Sequence, residues 1–313
     1  MKSVWLFTFC IVALLTSACA KTSSNSGGSE VVAQSKTSSP KMGNIDLTIA
    51  GVSQNNDFSV LYEESFLNQP NFTVFQRDSR LSDLFDSKGA SGLCFPSALA
   101  QSLIQLYAYH VPRETQLQLS GLNAGATSID PSQLVRQLAA LCKTDKVRGT
   151  STENEILCTK NLLIDSGYTN SDVSMITSEP IANSMDLPVV PRAPTIEDIR
   201  HYLSAGYAVK IGIGWYTYNS ATSSWKRTGG HAVTLVGYGY NQAWQDSEII
   251  LKVVNPNLLY AQNRRDINFG DTVTMVKNVE KPNITYPQAS AYSIVGVGFG
   301  NNFVENILVF LPK

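Results

Sequence analysis

Three side chains in this sequence have the types and the placement for nucleophilic catalysis: Cys94, His231 and Asn255. Cys94 lies in Gly92-Leu93-Cys94-Phe95-Pro96-Ser97-Ala98-Leu99-Ala100, where the small, flexible run Lys88-Gly89-Ala90-Ser91-Gly92 turns into an apolar segment. Phe95, Leu99, Leu103 and Leu106 recur at three- to four-residue spacing, which predicts a helix with one apolar face. Pro96 fits only its first turn, where a missing amide hydrogen costs nothing. The thiol therefore sits at a helix N-terminus, where unpaired amides and the positive end of the macrodipole favour the thiolate. The competing reading is a buried structural cysteine, common for this residue type.

A thiolate nucleophile needs a base, and the chain has three histidines. His110 is at the far end of the Cys94 helix, roughly 24 Å away at 1.5 Å per residue. His201 falls inside a short helix beside Tyr202 and Leu203 and reads as a packing or surface residue. His231 follows Gly229-Gly230 and is expected to begin a strand running to Tyr238, beside a turn. The next strand ends in Val253-Val254-Asn255-Pro256-Asn257. An Asn there can accept from one imidazole nitrogen and leave the other for sulfur. Asn255 is the first choice and Asn257 the alternate. Cys94's own amide is an oxyanion donor, with Ser91 and Lys88 as further candidates.

The elements that position these residues divide the sequence into a helical half and a β half. Beyond the Cys94 helix, helices are expected over 113–120, over 131–142 with Asp130 as N-cap and Pro131 in the first position, and over 153–166, stopped by Gly167. Cys142 and Cys158 fall on adjacent helical elements. They read either as a disulfide, which leaves Cys94 the one unbridged thiol of the mature chain, or as two buried thiols. Residues 168–194, rich in Ser, Asn and Pro, read as a crossing between lobes. A short capped helix from Thr195 leads to Gly206, and strands follow at 208–213, 232–238, 249–254, 272–279, 291–298 and 304–311. The fold class is α+β.

The N-terminus has a basic start and an apolar run too short to span a bilayer, the form of a secretory signal over residues 1–18. Leu15-Thr16-Ser17-Ala18-Cys19 resembles a bacterial lipobox, which implies lipidation at Cys19; ordinary cleavage after Ala20 is the alternative. Ala20 after that cysteine, where an Asp would retain the protein, implies sorting to the outer membrane of a bacterial cell envelope. Residues 19–44 then form a polar tether that cannot bury enough surface to fold. Residues 45–80 carry short strand-like runs, 46–49 and 72–75, and read as a strap over the main domain, residues 81–313. Removing residues 1–18 takes away only Lys2, so a formal charge of −1 becomes −2. No basic stripe points to nucleic acid, and the His and Cys positions lack metal-ligand spacing, so no metal or cofactor is expected.

Residues 85–258 resemble the papain-like cysteine peptidase superfamily, nearest to the bacterial peptidases that remove double-glycine leaders. The resemblance rests on the Cys94 helix start, on Gly206-Tyr207-Ala208-Val209, on Gly229-Gly230-His231-Ala232-Val233-Thr234-Leu235-Val236-Gly237-Tyr238, and on Asn255-Pro256. His231 lies 137 residues beyond Cys94 (231 less 94), inside the spacing of about 130–150 for papain-type enzymes. The resemblance implies a helical lobe of about 81–185 carrying the Cys helix, packed against an antiparallel β-sheet or barrel lobe of about 195–313. It also implies a Cys94-His231-Asn255 triad acting on a peptide or protein substrate. Two positions depart from the family. The Gln expected six residues before the cysteine is Lys88, with no Gln between Arg77 and Cys94, and Phe95 stands where the leader peptidases have Gly and papain has Trp. A thiol peptidase or amidase is the leading expectation; a papain-like module that holds a peptide without turnover is the alternative.

Overall fold

The strands of the second half pair into one sheet in the computed structural model, which describes residues 75–89, 91–109, 131–181, 186–239, 248–257, 271–277, 292–296 and 299–313. Its strands are β1 (Asp172–Thr177), β2 (Val189–Pro191), β3 (Ala208–Asn219), β4 (Ser224–Gly239), β5 (Glu248–Val254), β6 (Asp271–Lys277), β7 (Tyr292–Val295) and β8 (Asn302–Leu311). They lie in the order β2-β1-β8-β3-β4-β5-β6-β7, and every pairing is antiparallel except β1 with β2. The sheet curls at its far end, where the Asn302 side chain accepts from the Ile294 amide at 2.9 Å and donates to the Ile294 carbonyl at 2.7 Å, tying β7 to the start of β8.

Among the described residues four α-helices flank the sheet: α1 (Cys94–Tyr109), α2 (Pro131–Leu141), α3 (Thr152–Asp165) and α4 (Ile196–Ser204). The period-two alternation of strand side chains assigns the faces. Ala208, Ala232, Leu308 and Phe310 pack with Leu99, Leu103, Leu134 and Leu163 of α1, α2 and α3. Val209, Ile211, Val233 and Ile307 join Ile196, Ile199 and Leu203 of α4. Ala98 and Ser102 let α1 approach β4 closely, so that the Thr234 hydroxyl donates to the Ala98 carbonyl at 2.7 Å. The architecture is α+β.

Capping explains the helix boundaries. Ser151 accepts from the Asn154 amide at the start of α3, and Gly167 follows its end at φ +91°, where a Cβ would be strained. Thr195 and Asp198 form a reciprocal capping box on α4.

Two expectations are corrected. The segment 168–194 is not only a crossing, because Val173, Met175 and Ile176 are buried in β1, which pairs with β8. Its prolines fall after the strand or on the edge strand β2, where a missing amide hydrogen costs no ladder bond. Nor does His231 begin a strand beside a turn. β4 starts at Ser224, Gly229 and Gly230 lie within it, and the turn of the β3-β4 hairpin is at 220–223. The Arg227 guanidinium lies over Gly230, 2.4 Å from where a Cβ would stand.

The expected signal segment, Cys19, the tether, the strap as far as residue 74, His110, the helix over 113–120 and Asp130 lie outside the described residues. Among the described residues no helix is long and apolar enough to cross a membrane.

Candidate active site

Cys94 is the first residue of α1, is buried and is not disulfide-bonded. The first amides of a helix have no acceptor within it, so donors converge on this end. The preceding loop is pressed against a second one: a Cβ on Gly92 would stand 2.1 Å from the Asp145 carbonyl oxygen and 2.8 Å from the Gly149 Cα. That second loop is closed on itself by mutual backbone hydrogen bonds between Asp145 and Gly149, at 3.0 and 2.9 Å. A disulfide between Cys142 and Cys158 fastens it to α3.

His231 is 5% exposed and lines the same cleft as Cys94. Its Nε2 is 2.7 Å from Asn255 Oδ1. The direction of that bond follows from its neighbour: Asn255 Oδ1 also accepts from the Asn257 amide at 2.9 Å, so it is an oxygen and an acceptor. Nε2 therefore carries the hydrogen, and neutral Nδ1 is left with a lone pair. Nδ1 is buried and has no hydrogen-bond partner among the described residues. Asn257 thus serves the Asn255 turn through its backbone and does not orient the ring.

Two supporting residues escaped the sequence reading. The Trp215 ring stacks on His231, with centroids 5.5 Å apart and planes 12° apart, and its Nε1 donates to the Phe299 carbonyl at 2.9 Å. A stacked indole keeps water from the imidazole and its bond to Asn255. Trp215 pairs with Gly229 across the hairpin, and only that pairing could have revealed it. The other is Gln76, fully buried 18 residues before Cys94 (94 less 76). Its backbone ties the two site loops together, because its amide donates to the Pro256 carbonyl at 2.9 Å and its carbonyl accepts from Ser91 Oγ at 2.9 Å. Both polar atoms of its side chain are buried without partners among the described residues.

Of the other oxyanion candidates, Ser91 has its hydroxyl committed to Gln76, and Lys88 is an exposed residue whose amide bonds Asp86. Neither lines the cleft. His201 is exposed on α4 and meets Tyr202 edge to face.

The cleft floor is charged where an apolar floor would be ordinary. Lys210, 1% exposed on β3, reaches across Phe95 with Nζ 5.3 Å from the ring centroid and pairs with Glu155 of α3. Asn306 Oδ1 accepts from the same ammonium at 2.8 Å. Burial pushes the Glu155 carboxyl up to about 7 against the pull of Lys210, and the nearness of Cys94 adds to the rise. At the mouth, Glu305 takes two hydrogen bonds from Arg227, at 2.7 and 2.9 Å. Among the described residues no group of His, Cys, Asp and Glu could hold a metal ion.

A buried thiol at a helix start and an imidazole with one nitrogen fixed and the other open can together support acyl transfer to sulfur. No protein-family model matches the sequence, and no curated protein matches it closely.

Proposed function

We propose that this protein is an exported, membrane-anchored thiol peptidase or amidase of papain-like type, which hydrolyses a peptide or amide bond through Cys94, His231 and Asn255. The observation that carries the reading is the imidazole of His231, held through Nε2 by Asn255 and presenting a buried, unpartnered Nδ1 to the cleft that Cys94 lines. In the reaction Nδ1 takes the thiol proton and the sulfur adds to the substrate carbonyl carbon. The carbonyl oxygen becomes an oxyanion facing the first amides of α1. The carbon–nitrogen bond breaks as the imidazolium returns its proton to the leaving amine, which leaves a thioester on Cys94. Water, deprotonated by the same nitrogen, adds to the thioester; sulfur departs and is reprotonated, and the acid is released.

The test is the rate of Cys94 alkylation by iodoacetamide against pH, on the full chain in detergent, beside His231→Ala. A His-paired thiolate reacts at pH 6 on the order of a hundredfold faster than a thiol of ordinary pKa, and the variant loses that advantage. A profile that follows an ordinary thiol near pH 8.5, or one unmoved in the variant, would leave a peptide-holding module as the better account.

A further inference from the structure

Glu155, Lys210 and Asn306 belong to three distant parts of the chain, and catalysis by the proposed triad uses none of them. Burying an ammonium and a carboxylate together costs several kcal/mol per ion before their attraction is counted, so the pair is a poor device for stability alone. What it leaves open is more informative. Glu155 Oε2 and Asn306 Oδ1 both bind the Lys210 ammonium. An ammonium only donates, so the Asn306 assignment is unambiguous and its other terminal atom is the Nδ2 amine. Glu155 Oε1 and Asn306 Nδ2 have no hydrogen-bond partner among the described residues. Both residues line the cleft beside Cys94, and they are 7% and 5% exposed.

The Asn306 amide is also held in place from below. It lies across Gly212, where a Cβ would stand 2.3 Å from its Oδ1 and 2.8 Å from its Nδ2. When Glu155 is ionised, the floor therefore offers one acceptor and one donor side by side, positioned by a common cation that balances the carboxylate charge. An apolar side chain would cover both groups and leave them unsatisfied, and a second full charge would meet a neutral pair. The complement is an uncharged group with its own adjacent donor and acceptor.

We propose that Glu155 and Asn306, held by Lys210, form a recognition subsite for a carboxamide group of the substrate, such as a Gln or Asn side chain. Its N–H donates to Glu155 Oε1 and its carbonyl accepts from Asn306 Nδ2. The proposal rests on the thiol-peptidase reading and names the substrate class for that same cleft.

The experiment uses acetyl-dipeptidyl vinyl sulfones on the full chain in detergent. Each of the two residues in turn carries Gln, Glu, Lys or Leu while the other is Ala, and each rate is divided by the iodoacetamide rate of the same protein. At one of the two positions, Gln reacts fastest by about tenfold, the worth of one or two satisfied buried hydrogen bonds. Asn306→Asp replaces the donor by an acceptor, so the Gln advantage falls and the Lys compound gains. A wild-type order led by Leu, Glu or Lys at both positions, or no reaction with any of the four, overturns the subsite whether or not the variant folds. An order unchanged in a folded Asn306→Asp does the same. Failure of the thiolate reading is separately visible, as an iodoacetamide rate that ignores His231→Ala.

Discussion

Replacing Lys210 with Met keeps most of the buried stem and removes the charge that opposes the burial of Glu155, so its effect on stability must depend on pH. In the wild type, burial lifts the Glu155 carboxyl to about 7 from an ordinary value of 4.5. Between those values the folded chain holds a proton that the unfolded chain has lost, so stability falls as pH rises through this window and levels off above it. The gap of about 2.5 units corresponds to a ceiling of about 3 kcal/mol. Lys210 is what limits the rise, so in Lys210→Met the carboxyl titrates higher still and stability goes on falling beyond pH 7. At pH 5 Glu155 is neutral in both proteins, and the difference in stability measured there is the reference. By pH 9 the variant is weaker by roughly a further 3 kcal/mol, in the range for a buried charge deprived of its partner. The window is clear of the shifted aspartates. Asp145, which accepts from the Arg148 and Val147 amides, is held below its usual value. Asp198 is lowered too, because Arg192 and Thr195 outweigh its burial, and both therefore contribute stability that is lost only as pH falls below about 4. Urea denaturation at pH 5, 7 and 9 reads the difference. Parallel curves for the two proteins across this range would refute the electrostatic account of the cleft floor.

Asn255→Ala removes the acceptor of the His231 Nε2 hydrogen and of the Asn257 amide together. A lost hydrogen bond to a charged imidazole is worth about 1.5–3 kcal/mol, so iodoacetamide alkylation of Cys94 at pH 6 slows by roughly ten- to a hundredfold; an unchanged pH profile would remove Asn255 from the site. Gly92→Ala drives a methyl group to within 2.1 Å of the Asp145 carbonyl, backbone against backbone, and lowers the thermal midpoint by an amount equivalent to about 1–3 kcal/mol. A Gly92→Ala protein as stable as wild type would mean that the two loops do not pack as described.

The start of α1 was legible because its signals are local: a glycine-rich run, a proline allowed only in a first turn, and apolar residues at helical spacing. The strands β5 and β8 were legible for the same reason, as short runs of Ile, Val and Leu. β1 was hidden by the prolines around it, and only its partner β8 makes a strand of Asp172–Thr177. The two glycines ahead of His231 suggested a turn, yet both pair within the hairpin, Gly229 with Trp215 and Gly230 with Gly214, next to a bulge in the ladder. Within the site, the histidine could be picked out because the chain has only three, and the asparagine because it directly follows the next strand. Trp215, Gln76 and the Glu155-Lys210-Asn306 group could not. Each is defined by a neighbour far away in the chain, and the pairing of residues 155, 210 and 306 exists only after the sheet has formed.

β8, residues 302–311, does not sit at the margin of the sheet but between β1 and β3. It also brings Glu305 and Asn306 to the cleft. A chain emerging from its N-terminus therefore reaches this stretch with β1 and β3 unjoined and the cleft lacking one wall. Among the described residues, the β1-β2 pair is joined to the rest of the sheet through β8, and the same strand supplies one wall of the cleft.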